Sequence, residues 1–301
     1  MKRICERSCR MMKKYLLLIL AMAMCVSLCS CEKLLKIAKA YVTGTEESEM
    51  PADFLESRSN EEFDYDVYKD HIVITGYKGE STSVTLPEKI DGREVRVIGS
   101  LAFYRNDTLQ VIHIPSTVNE IRENGFYQCE KLETVRIPNT VTKIGTRAFG
   151  WCDSLTSVSL GSGVTAVPDY CFNHCVSLEK IVIPSGITSI GVRAFSYCEN
   201  LKEISVPNAV ASLGDFAFAG CPALEYVVFV NSGVKFGMNV FRDCESAVII
   251  APDGSTAKDY CATYGLRWST SRSVEAVVPV DPNAVSADES ADISEEGSLQ
   301  D

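Results

Sequence analysis

The sequence predicts a mainly β repeat solenoid, capped at both ends, and three in-register columns predict it. Phenylalanine recurs every 23 residues at Phe103, Phe126, Phe149, Phe172, Phe195, Phe218 and Phe241. Cysteine keeps the same step from Cys129 through Cys152, Cys175, Cys198 and Cys221 to Cys244, and leucine follows three residues later from Leu109 to Leu224. A fixed period of this size, carried by several apolar columns at once, marks units that cannot bury their apolar faces alone and must stack.

One unit reads Phe126-x-x-Cys129-x-x-Leu132-x-x-Val135-x-Ile137-Pro138-x-x-Val141-x-x-Ile144-Gly145-x-x-Ala148. Its Leu-x-x-Val-x-Ile segment alternates apolar and other residues, the period of a strand with one buried face, so each unit supplies one short strand of a parallel ladder. Pro115, Pro138, Pro184 and Pro207 end that strand because proline lacks the ladder donor, and Gly161 takes the same place in one unit. Gly99, Gly145, Gly191 and Gly214 mark a second tight corner. The Ala-Phe-x-x-Cys run is too short for an independent helix and reads as a short 3₁₀ or helical turn held by packing.

These units resemble the BspA-type leucine-rich repeat family, whose repeat runs Ile-Gly-x-x-Ala-Phe-x-x-Cys-x-x-Leu-x-x-Val-x-Ile-Pro. The resemblance covers roughly residues 64–268. It implies a bacterial protein of the surface or envelope that binds an extracellular protein or glycoprotein.

Ahead of the repeats, Met11-Met12-Lys13-Lys14 precedes an uncharged run from Tyr15 to Cys31 with further basic residues upstream, the plan of a secretory signal over residues 1–30. Its end, Leu28-Cys29-Ser30-Cys31, resembles the bacterial lipoprotein box and makes Cys31 the expected lipidated residue, hence an exported, lipid-anchored protein. Residues 31–62 are rich in Glu, Lys, Ser and Thr and read as a tether. The solenoid with its caps spans residues 63–268. Its first unit is atypical, with strand-like runs at Asp70–Ile74 and Thr82–Leu86, and the following unit carries an insertion from Pro87 to Val95 turning at Asp91-Gly92. Ala247–Ile250 is the last strand, and Ser255–Tyr264 has helical spacing suited to a C-terminal cap. Residues 269–301 form an acidic tail without lysine, and without arginine beyond Arg272; its composition is that of a disordered segment.

Without residues 1–30 the chain carries 23 basic and 39 acidic residues, which argues against nucleic acid as a partner, since phosphate binding needs clustered Lys and Arg. Cysteines in one column of a parallel stack lie about 4.8 Å apart with parallel Cβ directions, a poor geometry for disulfides, so they read as a ladder of buried thiols packing as small apolar groups. Cys171 falls in the column of Ala148 and Ala194. The run Cys171-Phe172-Asn173-His174-Cys175 could suggest zinc, but its two cysteines belong to inward columns, and neither a metal nor a cofactor is expected. Phosphate loops, nucleophile elbows and paired-histidine motifs do not occur, and His71, His113 and His174 lie far apart, so no enzyme is expected.

Two outward columns are candidates for binding. On the strand face, His113, Arg136, Lys180, Val182 and Tyr226 vary from unit to unit. Before the cysteines, Trp151, His174 and Tyr197 fall on consecutive units and should stack into an aromatic strip, of a residue type that anchors partners or stacks on sugars. The competing expectation is a passive, self-associating envelope scaffold with no ligand.

Overall fold

The computed structural model describes residues 51–271. The signal segment, Cys31 and the tail beyond residue 271 lie outside the described residues. The N-terminal cap is a meander of β1 (Phe54–Ser59), β2 (Phe63–Tyr68) and β3 (His71–Tyr77), paired antiparallel. Thus the cap begins inside the range read as tether. β1 is a solvent-facing edge strand held by Phe54 against Tyr68 and by Arg58 against Asp91, so it carries no apolar alternation to betray it.

Next come β4 (Ser83–Thr85), β5 (Lys89–Ile90) and β6 (Arg93–Ile98). The insertion is a hairpin of β5 and β6, turning at Asp91 and Gly92, both with positive φ. Each coil then gives a strand of three or four residues on one face and a two-residue strand on another. These are β7 (Val111–His113) and β8 (Glu120–Ile121), β9 (Thr134–Arg136) and β10 (Lys143–Ile144), and β11 (Ser157–Ser159) and β12 (Ala166–Val167). Then follow β13 (Lys180–Val182) and β14 (Ser189–Ile190), β15 (Glu203–Val206) and β16 (Ser212–Leu213), and β17 (Tyr226–Phe229) and β18 (Lys235–Phe236). β19 (Val248–Ile250), α1 (Thr256–Tyr264) and β20 (Arg267–Ser269) close the end. The longer strands form one nine-stranded parallel sheet from β4 to β20, and pairs such as Ser157 with Lys180 are in the register set by the period.

The Phe column lies inside, with consecutive centroids 4.9–5.6 Å apart and rings within 13° of parallel. Tyr77 of the cap stacks on Phe103 at one end, and Tyr260 of α1 meets Phe241 edge-on at the other. Each ring buries enough apolar surface to contribute about 1.5–3 kcal/mol, so the column is a main source of cohesion between coils.

The turn carrying those rings keeps the i→i−3 bonds of the expected 3₁₀ turn at alternate residues but does not run as a continuous helix. Gly125, Tyr127 and Cys129 donate locally to Arg122, Asn124 and Phe126 carbonyls, while Asn124, Phe126 and Gln128 donate to Thr146, Ala148 and Gly150 of the next coil. A helix would spend every N–H within itself; here alternate ones bind the neighbour. The geometry requires left-handed residues at Asn124 and Gln128, with φ of 56° and 61°, and the same two positions recur in the other coils. The glycine corner also has a different cause: a Cβ on Gly145 would sit 2.2 Å from the Glu123 nitrogen, so glycine is needed because adjacent backbones touch.

The cysteines from Cys129 to Cys244 are buried free thiols. Each of the six in the 23-residue column donates to the phenylalanine carbonyl one coil and three residues before it, as in Cys175 Sγ to Phe149 O at 3.1 Å. They are donors as well as filler. Burial pushes the Cys129 thiol up to about 12 and the Cys152, Cys171 and Cys198 thiols well above the ordinary range.

Candidate functional site

The residue before each cysteine is a left-handed turn position whose side chain points outward, opposite the buried thiol. Trp151, His174 and Tyr197 occupy it on three consecutive coils with φ of 58°, 59° and 61°. Bulky residues bear a cost of about 1 kcal/mol each in this conformation, whereas the next coil has Gly220 there at φ 72°.

The three rings form one stack. Trp151 and His174 have centroids 3.9 Å apart at 13°, and His174 and Tyr197 are 4.5 Å apart at 20°. Trp151 and Tyr197 are 38% and 42% exposed, so the stack is a surface feature. A Cβ on Gly220 would meet Tyr197 Cδ1 at 2.6 Å, which shows the tyrosine leaning onto the bare backbone beyond it. On the other side Arg105 Nε donates to Gln128 Oε1 at 2.8 Å, continuing the column. Because ring faces are turned to one another, a sugar cannot lie flat along the strip. What faces out is the exposed edges of the Trp151 and Tyr197 rings. Burial lowers the His174 pKa, and the Asp153 and Glu199 carboxylates oppose the shift.

The strand-face candidates stand on the outer surface of the nine-stranded sheet. Register puts His113 beside Arg136, then Ser159 and Val182 in one column, with Lys180, Glu203 and Tyr226 in the other. Val182 is 76% exposed, His113, Arg136 and Lys180 are exposed, and Tyr226 is half-buried. These residues are separated from the strip by the intervening loop of every coil, so the sequence candidates form two surfaces rather than one.

Cys171 and Cys175 point into the core while His174 lies in the strip, so that run does not converge on a metal. In the N-terminal cap Asp53, Asp70 and His71 bring ligand atoms within 4.8 Å of one another, but Asp70 already pairs with His71 and Arg96.

A second outward ladder escaped sequence reading. Arg147, Tyr170, Arg193 and Phe216 occupy the other left-handed column, with Arg147 4.6 Å from the Tyr170 ring and Arg193 5.0 Å from Phe216. The signal was present as alternating Arg and aromatic residues at the period. Between β10 and β12 the short-strand ladder breaks: Pro168 has no N–H to match Gly145 N to Ile121 O at 2.7 Å or Gly191 N to Val167 O at 2.8 Å, and among the described residues Thr165 N makes no counterpart of the Thr188 N to Thr165 O bond. An open groove of about 490 Å³ lies there, lined by residues including Glu120, Arg122, Lys143 and Thr165.

The profile of the BspA type leucine rich repeat region matches this chain in six copies, over residues 77–167 and 119–248. Among solved structures, a T. pallidum leucine rich repeat protein is 30% identical, over 68% of this chain and 82% of that one, with a TM-score of 0.47. A leucine rich cell surface protein from Faecalibacterium prausnitzii is 23% identical over 67% and 84%, TM-score 0.41, and a Bacteroides ovatus leucine-rich repeat protein is 21% identical over 64% and 70%, TM-score 0.37. None of the curated proteins matches. With repeats matched over more than half of its length, the chain belongs to the BspA-type leucine-rich repeat family.

Proposed function

We propose that this chain is a lipid-anchored protein of the bacterial cell surface that recognises an extracellular protein or glycoprotein through one outer face of its solenoid, without catalysis. The observation carrying this reading is the exposed stack of Trp151, His174 and Tyr197 at left-handed positions, where glycine would relieve backbone strain. A stack kept against a local stability cost fits an anchor for a partner better than a solvated surface. The family and the likeness to a leucine rich cell surface protein support the location, and the Leu28-Cys29-Ser30-Cys31 segment supports the anchor.

The test is capture from extracellular-matrix and mucin extracts by the parent chain and by a Trp151→Ala/Tyr197→Ala variant, with circular dichroism to verify folding. Loss of captured material with the fold intact supports the strip. Unchanged capture removes it and leaves the strand face around Arg136, Lys180 and Val182.

A further inference from the structure

Carboxylates recur in two columns beside the strip, interrupted by Val176 in one and by Thr156 and Lys202 in the other. Glu130, Asp153 and Glu199 follow the cysteines, and Glu133, Glu179 and Glu225 precede the longer strands. Around a coil, sequence order is spatial order, so these columns lie between the aromatic strip and the strand face. All are exposed except the half-buried Asp153. Lys202 reaches Glu179 at 3.6 Å, and the other five have no lysine or arginine within 4.0 Å among the described residues. Glu130 and Asp153 sit on adjacent coils and repel: burial first and Glu130 second raise the Asp153 pKa. One Asp153 carboxylate oxygen is buried without a hydrogen-bond partner.

The strip also offers unspent groups. Neither the Trp151 indole N–H nor the Tyr197 hydroxyl bonds another described side chain or carbonyl, and ring edges are electropositive. Unspent donors call for acceptors, and the carboxylates call for cations. An extended lysine- or arginine-rich segment of protein supplies both, through its main-chain carbonyls and its side chains. A sulfated or sialylated glycan would place its anions against the carboxylates, and like charges facing across an interface oppose binding.

We propose that the Trp151, His174 and Tyr197 strip and the carboxylate lines beside it form one docking surface for a basic, extended protein segment. This rests on the reading that the strip binds a partner and names that partner's chemistry.

The chain has two tryptophans, Trp151 and Trp268, so a Trp268→Phe background makes Trp151 emission the reporter. The probes are a short lysine- and arginine-rich peptide, a glutamate-rich peptide of equal length, and heparin. The basic peptide should shift Trp151 emission, and its affinity should fall about tenfold or more between about 0.05 M and about 0.5 M salt. Glu130→Gln/Glu133→Gln/Glu199→Gln should weaken it by about tenfold. A matched triple on the N-terminal cap, Glu61→Gln/Glu80→Gln/Glu88→Gln, should leave it within about twofold. Equal binding to the parent and the Glu130→Gln/Glu133→Gln/Glu199→Gln variant, equal loss in both triples, or heparin binding as tightly as the basic peptide overturns the proposal. If Trp151→Ala/Tyr197→Ala abolishes capture from extracts while Glu130→Gln/Glu133→Gln/Glu199→Gln leaves both capture and peptide affinity intact, the strip stands and the basic partner falls. If the double variant changes no capture, the strip reading falls on its own evidence.

Discussion

Replacing Cys175 and Cys198 by alanine distinguishes a thiol that fills space from one that satisfies a carbonyl. Both are fully buried, and both donate one coil back, Cys175 to Phe149 O at 3.1 Å and Cys198 to Phe172 O at 3.2 Å. The acceptors differ. Phe172 O also takes the Cys175 backbone N–H at 3.3 Å, whereas among the described residues Phe149 O takes no backbone N–H. Deleting the sulfur removes about one methylene's worth of burial, about 0.8 kcal/mol. The remaining void of about 20 Å³ adds about 0.5 kcal/mol. Cys198→Ala should therefore cost about 1.5 kcal/mol once a weak thiol bond is included. Cys175→Ala also orphans a buried carbonyl, adding about 1–2 kcal/mol for a total near about 3 kcal/mol. Cys175→Ser keeps a donor and should be no worse than Cys175→Ala. Urea unfolding followed by circular dichroism reads the differences. Equal losses in the two alanine variants, with serine worse than alanine at both sites, would falsify the donor role and return the thiols to packing alone.

Other consequences follow from the same contacts. Gly145→Ala places a methyl 2.2 Å from the Glu123 nitrogen and should cost about 3 kcal/mol or more in thermal melts. Gly254→Ala, at φ 70° with nothing within 4 Å of its Cβ, should cost about 1 kcal/mol, and similar losses at both would contradict the close-approach argument. Pro168→Gly restores an N–H opposite Ile144 O, so hydrogen exchange should find amide 168 protected like amides 145 and 191; fast exchange there would mean the coils are held apart by something else. The His174 imidazole should titrate below about 6.5 by NMR and move toward that value in Trp151→Ala, because burial opposes its charging. Folding then disfavours the proton, so stability declines as pH falls below about 6.5 and levels off beneath the folded pKa. A value above 6.5 would show instead that the Asp153 and Glu199 carboxylates and the flanking rings prevail over burial.

What the sequence shows depends on how many coils repeat a signal. The Phe, Cys and Leu columns recur six or seven times and could be read directly, as could the outward alternation on β7 to β17 and the helical spacing of α1. β1, β2 and β20 occur once each, so no repetition supports them; β2 has alternation in Phe63, Tyr65 and Val67, but β1 has none. The two-residue strands such as β8 and β10 are shorter than any pattern that could reveal them. The left-handed turn positions are a matter of dihedral sign, which side-chain hydropathy does not carry; Asn124, Gly220 and Asn239 in those columns were the available hint. The strip was legible as residues at a period, but its face-to-face geometry, and with it the exclusion of flat sugar stacking, required coordinates.

Alternating hydrogen bonds in the turn explain how such a surface can diversify without loss of fold. Every second N–H in residues 124–129 is spent on the next coil and the others locally, and none of these bonds depends on what side chain stands outward. The Cys129 thiol, donating to Phe103 O, ties the same turn to the preceding coil from inside. Cohesion between coils therefore rests on backbone, phenylalanine and cysteine, while the residue before each cysteine, or before Asn106 in the first coil, runs from Arg105 and Gln128 through Trp151, His174 and Tyr197 to Gly220 and Asp243 under one backbone geometry. Since the fold accepts all seven and glycine fits that conformation with least strain, stability alone gives no reason for three adjacent aromatic rings. Packing between the rings recovers only part of the strain, about 0.5–1.5 kcal/mol per stacked pair, so the strip still bears a net cost to folding. Its composition is then free to be set by what touches it from outside.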